Sequence, residues 1–478
     1  MKFIDYFKVC FATTYNIILN ALSLGRYIWL EGRVRNDVFR NWARRFRFRP
    51  QQFVQPNTEQ EIIDLVKNSQ TVRVFGSGHS FNGGVLVDQT LISLDNYCGV
   101  IRHDLEKNQL TVKAGTRVRD IIREMRVMGL AFAAQPSHDA QSIAGILSTD
   151  VHGTGRDWGF VSESVVGLKL IDGRGEVLEC GPADDLFKAA IGGIGAVGII
   201  VEVVLQAVER FKVEQKVEIS DLSYVADNLD RLLDENEHFS LDLFPFTEKC
   251  QINIWNRTQQ EKSALGTLRE FVSISLDALL AAWVGNFIAY TGLLPAASTL
   301  AHSLKKGTNL VLESNEAYNR TIYHLHQELE FTVPFENTFE TTRRFIELYE
   351  EMYAGGLPYT IFEVRFTPGG HDLTLIGAGR ERRNTWIDLV CNDSDGFESY
   401  YAAAEELIKN IGARPHLGKY CENLDSHYLK QVHGENFEKF QQLMAQHDPQ
   451  GKFANDFTRR LFVEKAKPAA VKGVEQAA

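Results

Sequence analysis

A glycine-rich segment near the start of the chain restricts the fold more than any other sequence feature. Residues 74–84 read VFGSGHSFNGG and contain four glycines, two serines and one histidine, His79. The preceding residues, TVRVF (71–75), alternate between polar and apolar side chains, which predicts a half-buried strand. Glycines after a strand let backbone amides approach a ligand closely, and successive amides can form a concave anion site. We interpret the segment as a candidate pyrophosphate-binding loop; the alternative is a tight turn with a capping serine.

Composition and charge exclude several classes of partner. The chain has 478 residues, enough for two or three domains, and a formal net charge of −11. This charge, with no long basic run and no zinc-ligand spacing, argues against a nucleic-acid partner and gives no candidate metal site. The six cysteines are far apart and form no CxxC pair, so we expect reduced thiols and a weak preference for a reducing compartment.

Two apolar runs complicate the expectation of a soluble protein. Residues 9–25 carry no charge, and residues 278–304 contain no Asp, Glu, Lys or Arg. The first run is shorter than the ~20 apolar residues that cross a bilayer. In the second, Gly292 and Pro295 are expected to break a helix, which leaves Ala278–Leu294 with a length of about 25 Å. The alternatives are contact with a lipid interface or burial in the core or between subunits.

Changes in composition and in hydrophobic pattern along the sequence divide the chain into four parts. We predict a hydrophobic and then basic extension (1–45), a compact glycine-dense domain (46–210), a second domain of mixed helices and strands (211–465) and a flexible tail (466–478). Within these parts the patterns predict an amphipathic helix with Val118, Ile121, Ile122 and Met125 on one face, a hairpin around DGRG (172–175), a helix over 225–236, a strand over 359–367 and a helix over 396–412.

A second stretch suggests close approach to a flat ligand. Residues 141–155 read QSIAGILSTDVHGTG, in which small side chains leave the backbone accessible. Ser142 and His152 supply hydrogen-bonding groups on this otherwise featureless surface. The alternative for His152 is a structural histidine that hydrogen-bonds to loop carbonyls.

Taken in order, these motifs resemble a known superfamily. GSGHSFN (76–82), residues 141–155 and GGIGAVGIIVEVVLQ (192–206) resemble the FAD-binding domain of the vanillyl-alcohol oxidase and p-cresol methylhydroxylase (PCMH) superfamily. LEFTVP (329–334), FEVRF (362–366), RPHLGK (414–419) and DPQGKFANDFTRRLF (448–462) look like its sugar-1,4-lactone oxidase and alditol oxidase branch. The resemblance covers residues 42 to 462, except for an insert around 265–310.

The resemblance implies a fold, a cofactor and a binding site. It implies an α+β flavoprotein in two parts, a PCMH-type FAD-binding domain and an α+β substrate (cap) domain whose C-terminal segment returns to the flavin. His79 corresponds to the residue that carries the flavin covalently, through the 8α carbon; the alternative is a histidine that only hydrogen-bonds to FAD. The cofactor-binding residues implied are Gly76, Ser77, Gly78, His79, Ser80, Ser142, Gly145, His152, Gly153, Gly155 and Ile199.

Four residues are candidates for the reaction itself. Strand alternation places Glu363 and Arg365 on one face and Val364 on the other, although such a pair is often only an exposed ion pair. The resemblance implies that Glu363, Arg365, Lys419 and Ser142 hold the hydroxyls of a polyol or aldonolactone over the flavin. Arg365 or Lys419 would stabilise a developing alkoxide or the anionic edge of the reduced flavin. The alternative for Lys419 is a solvated surface lysine.

The expected activity is oxidation of a CH–OH group of a sugar-1,4-lactone or alditol, with oxygen or an unknown acceptor taking the electrons. One alternative is a membrane-associated oxidoreductase of a lipid-linked sugar with a non-oxygen acceptor; another is a flavin-binding scaffold that has lost catalysis. Joint retention of His79, Glu363, Arg365 and Lys419 argues against the scaffold. Two departures from the family pattern, Asp150–Val151 before His152 and Leu417 in place of a tryptophan, are expected to alter the surroundings of the flavin.

Overall fold

The computed structural model describes residues 3–22, 32–319, 325–353, 356–379, 381–393 and 396–463. Its α-helices are α1 (Phe3–Leu22), α2 (Glu59–Asn68), α3 (Val118–Val127), α4 (Ile143–Ser148), α5 (Asp185–Ala190), α6 (Leu222–Glu235), α7 (Gly266–Leu279), α8 (Asn286–Tyr290), α9 (Leu294–Ser303), α10 (Ser314–Ala317), α11 (Thr338–Met352), α12 (Phe397–Ile411), α13 (Ser426–His433), α14 (Glu435–His447) and α15 (Asp456–Phe462).

The strands are interspersed with these helices as far as β21, after which the described chain is helical. They are β1 (Arg33–Arg35), β2 (Val38–Arg40), β3 (Arg47–Phe48), β4 (Gln52–Val54), β5 (Val72–Phe75), β6 (Thr90–Ser93), β7 (Val100–Asp104), β8 (Gln109–Lys113), β9 (Leu130–Ala131), β10 (Val165–Ile171), β11 (Val177–Cys180), β12 (Ile199–Gln206), β13 (Val208–Glu209), β14 (Lys212–Asp221), β15 (His238–Leu243), β16 (Lys249–Thr258), β17 (Thr308–Glu313), β18 (His326–Pro334), β19 (Thr360–Thr367), β20 (Asn384–Asn392) and β21 (Arg414–Pro415).

The glycine-dense part of the chain is built around two larger sheets, with β9 and β13 forming a further two-stranded sheet. A parallel sheet has the order β4-β6-β5, and an antiparallel sheet has the order β11-β10-β12-β8-β7. Helix α3 packs on them through Val118, Ile121, Ile122 and Met125, all of which are buried as the sequence predicts. The predicted hairpin forms between β10 and β11. Strand β5 ends at Phe75, so the glycine loop (residues 74–84) leaves the edge of a buried sheet.

The later part of the chain forms an eight-stranded sheet with two unlike faces. Its order is β17-β14-β16-β15-β19-β20-β18-β21. One face carries apolar side chains such as Leu241, Val364 and Phe331 and packs against α6, α11 and α12. The other face is mostly polar, because alternate residues of each strand point to opposite sides. We call it the polar face. The predicted strand over 359–367 and the predicted helix that ends at Gly412 are both observed, as β19 and α12.

The strand register sets polar side chains in a line across the polar face. Gln251 pairs with Asp242, Asp242 with Glu363, Glu363 with Asp388, and Asp388 with Glu330. These residues come from five neighbouring strands and are far apart in sequence. Because directly paired residues have Cβ atoms roughly 5 Å apart, the line is continuous.

A helical layer covers the end of the polar face that lies over β14 to β16. A π-helical turn, Leu280–Gly285, joins α7 and α8 into one helix, Gly266–Tyr290, which starts before the predicted Ala278–Leu294. The break falls at Gly292 as predicted, whereas Pro295 lies in the first turn of α9, where proline is tolerated. Helix α1 packs on this layer, and Tyr6 Oη donates to the Trp283 carbonyl at 3.0 Å.

The outer side of this layer is unusually apolar. Helix Gly266–Tyr290 has a mean hydropathy of 1.7 in its most apolar window, of which 22% is buried, so by length and composition alone it could cross a membrane. Most large hydrophobic side chains exposed among the described residues lie here. We call this surface the apolar face; it consists of Phe11, Tyr15, Ile18, Leu22, Leu268, Val272, Leu276, Leu280, Val284, Phe287, Tyr290, Leu293, Leu300 and Leu304.

Two other expectations concern the chain ends and the cysteines. All six cysteines are free, and Cys98 alone among them is exposed, as expected for reduced thiols. The predicted flexible tail (466–478) and the last residues of the first apolar run (23–25) lie outside the described residues. The rest of that run belongs to α1.

Candidate active site

One continuous cavity of about 1000 Å³ lies between the glycine loop and the polar face. Most residues predicted to form the site line it, namely Gly76, Ser77, Gly78, His79, Ser80, Ser142, Gly145, His152, Ile199, Glu363, Arg365 and Lys419. Gly153 and Gly155, also predicted to bind the cofactor, do not line it. Gly155 instead bridges to His238, and a side chain there would overlap with the Trp158 carbonyl oxygen, so close backbone packing explains this glycine.

The glycine loop is held in a tight geometry that requires its glycines. A side chain at Gly76 would overlap with Ser142 Oγ, and Gly78 has a positive φ of 65°. The Gly32 amide donates to the Ser77 carbonyl at 2.6 Å, and the Trp42 amide donates to the Gly78 carbonyl at 2.8 Å. Residues 32–45, predicted to belong to an extension, therefore support the glycine loop directly.

His79 lies between two aromatic rings on the cavity wall. The ring centroids of His79 and Trp42 are 5.4 Å apart in a stacked arrangement, and those of His79 and His138 are 4.3 Å apart. Burial lowers the pKa of His138 to about 4, so this neighbour is neutral at pH 7. The two rings limit the orientations open to the His79 imidazole.

Ser142 belongs to the loop side of the cavity. It is the N-cap of α4, and its Oγ accepts a hydrogen bond from the Gly145 amide at 3.3 Å. Because the same oxygen lies against Gly76, its position supports the predicted contact with the cofactor better than the predicted contact with substrate hydroxyls.

Across the cavity lie five charged groups, Glu328, Glu330, Arg365, Asp388 and Lys419, which we call the charged cluster; Glu330 and Asp388 are buried and the other three are half-buried. Arg365 Nη2 contacts Glu330 and lies 3.1 Å from Asp388 Oδ2. Lys419 Nζ contacts Glu328 and also lies 3.1 Å from Asp388 Oδ2. Glu363 is at the margin, with its Oε2 4.0 Å from Arg365 Nε. Lys419 is therefore a half-buried, paired lysine and not a solvated surface one.

Three carboxylates share two cations in this cluster, so one carboxyl group keeps its proton more easily than the others. Burial raises the pKa of Asp388 well above its usual value, and Glu328 and Glu330 add to this effect. Burial alone would also raise the pKa of Glu330, but Arg365, His152 and Lys419 hold it well below its usual value. A proton in the cluster is therefore expected on Asp388.

Comparison with known proteins shows which family has this arrangement. A family model described as D-arabinono-1,4-lactone oxidase matches residues 203–461, more than half of the chain, and an FAD-binding domain model matches residues 50–181. The chain belongs to the D-arabinono-1,4-lactone oxidase family. It also carries an FAD-binding domain, at residues 50–181. The predicted fold class and the predicted cofactor, FAD, are therefore confirmed. The chain is an FAD-dependent sugar-lactone oxidoreductase, as the sequence predicts.

Two curated relatives, a gulonolactone dehydrogenase and a gulonolactone oxidase, align with this chain over almost their whole length. The chain is 26% identical over 439 residues to an L-gulono-1,4-lactone dehydrogenase of Mycobacterium tuberculosis, a match that covers 89% of this chain and 99% of the relative. It is 27% identical over 448 residues to an L-gulonolactone oxidase of Mus musculus, with coverage of 89% and 98%. A solved structure of cholesterol oxidase from B. sterolicum superimposes with a TM-score of 0.72 at 15% identity, covering 89% of this chain and 96% of that one. This likeness concerns the fold alone.

The cavity fits FAD on its own geometry as well. The glycine loop and the backbone around Gly145, Gly195 and Gly198 provide a wall with almost no side chains, against which a phosphate chain can lie. The C-terminal segment closes the other side of this loop, since Asn455 Nδ2 donates to the Gly83 carbonyl at 2.9 Å. The glycine loop and the charged cluster therefore line one cavity, and the loop side of it has a backbone surface suited to FAD.

His152 connects the loop side to the charged cluster. Its Nδ1 lies 3.0 Å from the Gly153 carbonyl and its Nε2 lies 3.0 Å from Glu330 Oε1, while its ring stacks on Trp386. Burial lowers the pKa of His152, and Glu330 offsets this only in part. His152 therefore contacts a loop carbonyl, which was the alternative given for it from the sequence. It also lies on the cavity wall.

Three buried groups have the composition of a metal site, although the sequence indicates none. Ligand atoms of His152, Glu330 and His416 lie within 4.8 Å of one another. Arg365 and Lys419 already place two positive charges beside Glu330, and His416 Nδ1 accepts the Gly418 amide at 3.0 Å. A divalent cation would be repelled by the two side chains, so this trio is better suited to proton handling.

Three residues depart from the family pattern near the cavity, Asp150, Val151 and Leu417. Asp150 has a positive φ of 51° and pairs with His371, with Oδ2 3.0 Å from Nε2. Burial alone would raise the pKa of Asp150, but His371 and Ser162 hold it below its usual value. Leu417 is buried in the core, and its carbonyl accepts from Asn82 Nδ2 at 2.6 Å. Val151 lines the cavity, whereas Asp150 and Leu417 do not. Their effect on the surroundings of the flavin stays a prediction.

Several residues of the site were not predicted from the sequence, namely Trp42, His138, His326, Glu328, Glu330, Asp388 and His416. A signal existed for Glu328 and Glu330, since two acidic residues occupy alternate positions of strand β18 and flank Leu329. Asp388 is likewise the single acid in the apolar strand β20. Buried acids on strands need partners, and that alone marks them as candidates.

Proposed function

We propose that this chain oxidises a CH–OH group of a sugar-1,4-lactone or alditol with FAD that is attached covalently to His79. One observation carries the proposal: a single cavity joins a loop suited to FAD to a buried cluster of cations and carboxylates. When bound, FAD takes the hydride from the substrate carbon. The names of the relatives in Mycobacterium and mouse, which act on gulonolactone, favour a lactone over an alditol.

The charged cluster binds and orients the hydroxyl-rich substrate. Arg365 and Lys419 keep their charges, because neighbouring carboxylates raise the pKa of each above its usual value despite burial. Their N–H groups stabilise negative charge on the substrate oxygen as its proton leaves. Glu363 and protonated Asp388 contact further hydroxyls, which fixes the reacting carbon relative to the flavin.

His152 and Glu330 form a buried pair beside the charged cluster. His152 Nδ1 lies 3.0 Å from the Gly153 carbonyl and its Nε2 lies 3.0 Å from Glu330 Oε1, so both ring nitrogens face protein atoms. This pair therefore fixes the position of Glu330 against Arg365. His416 does not accept a proton at Nδ1, because that nitrogen already accepts the Gly418 amide.

Anaerobic reduction of the bound flavin tests the proposed reaction. We expect L-gulono-1,4-lactone or D-arabinono-1,4-lactone to bleach the flavin absorbance of the holoenzyme under argon, and xylitol to do so more slowly. Admission of oxygen afterwards shows whether oxygen restores the colour or another acceptor is needed. Failure of every lactone and alditol to bleach a fully loaded protein would contradict the proposal and favour the scaffold alternative.

We also propose that the apolar face rests on a phospholipid bilayer. The helices that carry it present large apolar side chains over their whole outer side, while Lys306 and Arg269 are exposed on the same layer and can meet anionic head groups. Burial of each such side chain stabilises the bound state by roughly 1.5–3 kcal/mol. A second copy of the chain is the competing occupant.

Vesicle binding distinguishes these occupants. The triple variant V272E/F287E/L300E should lose at least tenfold in binding to phosphatidylcholine–phosphatidylglycerol vesicles relative to the unchanged protein, as measured by flotation. The matched control I101E/V127E/V177E changes three exposed apolar residues elsewhere and should bind as before. Equal vesicle binding by both variants would contradict the proposal. So would an unchanged protein that does not bind vesicles and forms a dimer, which the V272E/F287E/L300E variant turns into a monomer.

A further inference from the structure

The cavity extends well beyond the charged cluster, along the polar face and beneath the helical layer. Asp242, Gln251 and Asn253 continue the line of polar residues from Glu363 across β15 and β16 and line the same cavity. Since neighbouring strands are about 4.8 Å apart, Gln251 lies roughly 10 Å from Glu363. A single lactone ring at the cluster does not reach that far. We call this part of the cavity the arm.

The floor of the arm is built for hydrogen bonding. Asp242 Oδ2 accepts from Gln251 Nε2 at 2.8 Å and from Asn253 Nδ2 at 3.3 Å, and Lys305 Nζ donates to Gln251 Oε1 at 3.0 Å. Gln215 is 6% exposed, and its Nε2 donates to Glu270 Oε1 at 3.0 Å.

One polar atom of this floor has no donor. Among the described residues, the buried Gln215 Oε1 has no hydrogen-bond partner, although Gln215 lines the cavity. Leaving such an oxygen unpaired is destabilising, because its hydrogen bond to water is lost on burial and not replaced. A ligand hydroxyl that points to Gln215 would remove this cost.

The roof of the arm is more apolar than the floor. The side of the helical layer that faces the cavity includes the small residues Ala278, Ala281, Gly285 and Ala301. Small side chains here leave space between the helices and the polar floor. The roof therefore provides volume and apolar contact, with a few polar side chains between them, namely Glu270, Ser273, Asp277, Ser298 and His302.

The mouth of the arm lies inside the apolar face. Leu276, Leu280, Val284 and Leu304 line the cavity and are also exposed, to 54%, 44%, 45% and 71%. A molecule that enters here passes apolar side chains first and reaches the polar floor afterwards. The order along the arm is thus an apolar mouth, a polar floor and then the charged cluster.

We infer that the substrate is an amphiphile, a lactone or polyol head that occupies the charged cluster and the floor of the arm while an alkyl chain leaves through the mouth. This inference rests on the proposed function, since it names the substrate class of the same site. The polar floor argues against a purely apolar ligand, which would leave Gln215 Oε1 without a donor. The apolar mouth argues against a purely hydrophilic one.

The preference between two matched lactones tests the inference. The holoenzyme is reduced anaerobically with L-gulono-1,4-lactone and with its 6-O-octanoyl ester, which share the reacting ring and differ in the chain. We expect kcat/KM for flavin reduction to be at least tenfold higher for the ester, because each buried methylene contributes about 0.8 kcal/mol. Ala281→Phe, which fills the roof, should reduce this ratio to near one.

Controls separate the arm from the reaction and from folding. Ala296→Phe adds the same bulk to α9 at an exposed position outside the cavity and should keep both rates and their ratio. Flavin content and melting temperature of each variant show whether it folds. Oxidation of neither lactone would refute the proposed function. Three results would overturn the inference that the substrate is an amphiphile. The first is oxidation of L-gulono-1,4-lactone at the same kcat/KM as its octanoyl ester. The others are an unchanged preference for the ester in Ala281→Phe, and a gain from a 6-O-glucosyl lactone as large as that from the ester.

Discussion

Replacing Arg365 by alanine should lower kcat/KM for lactone oxidation by about 10²- to 10³-fold, the usual loss when a group that stabilises an oxyanion is removed. Arg365 is half-buried beside Glu330 and Asp388 and lines the cavity, so it supplies positive charge directly to a bound substrate. The measurement is the rate of anaerobic flavin reduction by the lactone that the substrate panel identifies. Arg365→Lys keeps the charge without the planar fork and should lose less activity.

Stability has to be separated from catalysis in this experiment. Removing one partner of a buried ion pair costs about 3–5 kcal/mol, so Arg365→Ala is expected to melt at a lower temperature as well. The rates are therefore compared below the melting temperature and at equal flavin content. Arg231→Ala removes an exposed arginine that pairs with Glu235 on α6 and should change the rate less than twofold. Arg365→Ala that reduces its flavin as fast as the unchanged protein would refute the role assigned to Arg365.

Local patterns predicted the parts of the site that depend on neighbouring residues in the chain. The period of two in FEVRF placed Glu363 and Arg365 on one face, and the register confirms that they share the polar face. The glycine loop follows β5 as expected, because an alternating strand and a run of glycines are both readable from a short window. The position of a boundary near residue 210 remains a prediction, which the change of sheet between β12 and β14 supports.

The remaining features depend on contacts between distant segments. Glu330, Asp388 and Glu363 form one line only because β18, β20 and β19 are neighbours, and no local pattern gives that strand order. Trp42 stacks on His79 although it comes from a part of the chain that reads as an extension. Asp150 pairs with His371, which lies 221 residues further along the chain, so no local pattern indicates its partner.

The larger of the two expected effects concerns His79. Its imidazole faces the cavity between Trp42 and His138. A covalent bond to the flavin survives unfolding, whereas every noncovalent contact of the glycine loop is lost with the fold. His79→Ala should therefore change the fraction of flavin that stays with the acid-denatured polypeptide from nearly all to none. His138→Gln alters the adjacent ring without removing the attachment point and should retain the colour.

The most direct test of this account is the absorbance of the purified holoenzyme after precipitation in acid. We predict a yellow polypeptide with a colourless supernatant, and the reverse for His79→Ala. Free FAD in the supernatant of the unchanged protein would contradict the attachment. A protein with no flavin absorbance, before or after reconstitution with FAD, would contradict the site as a whole.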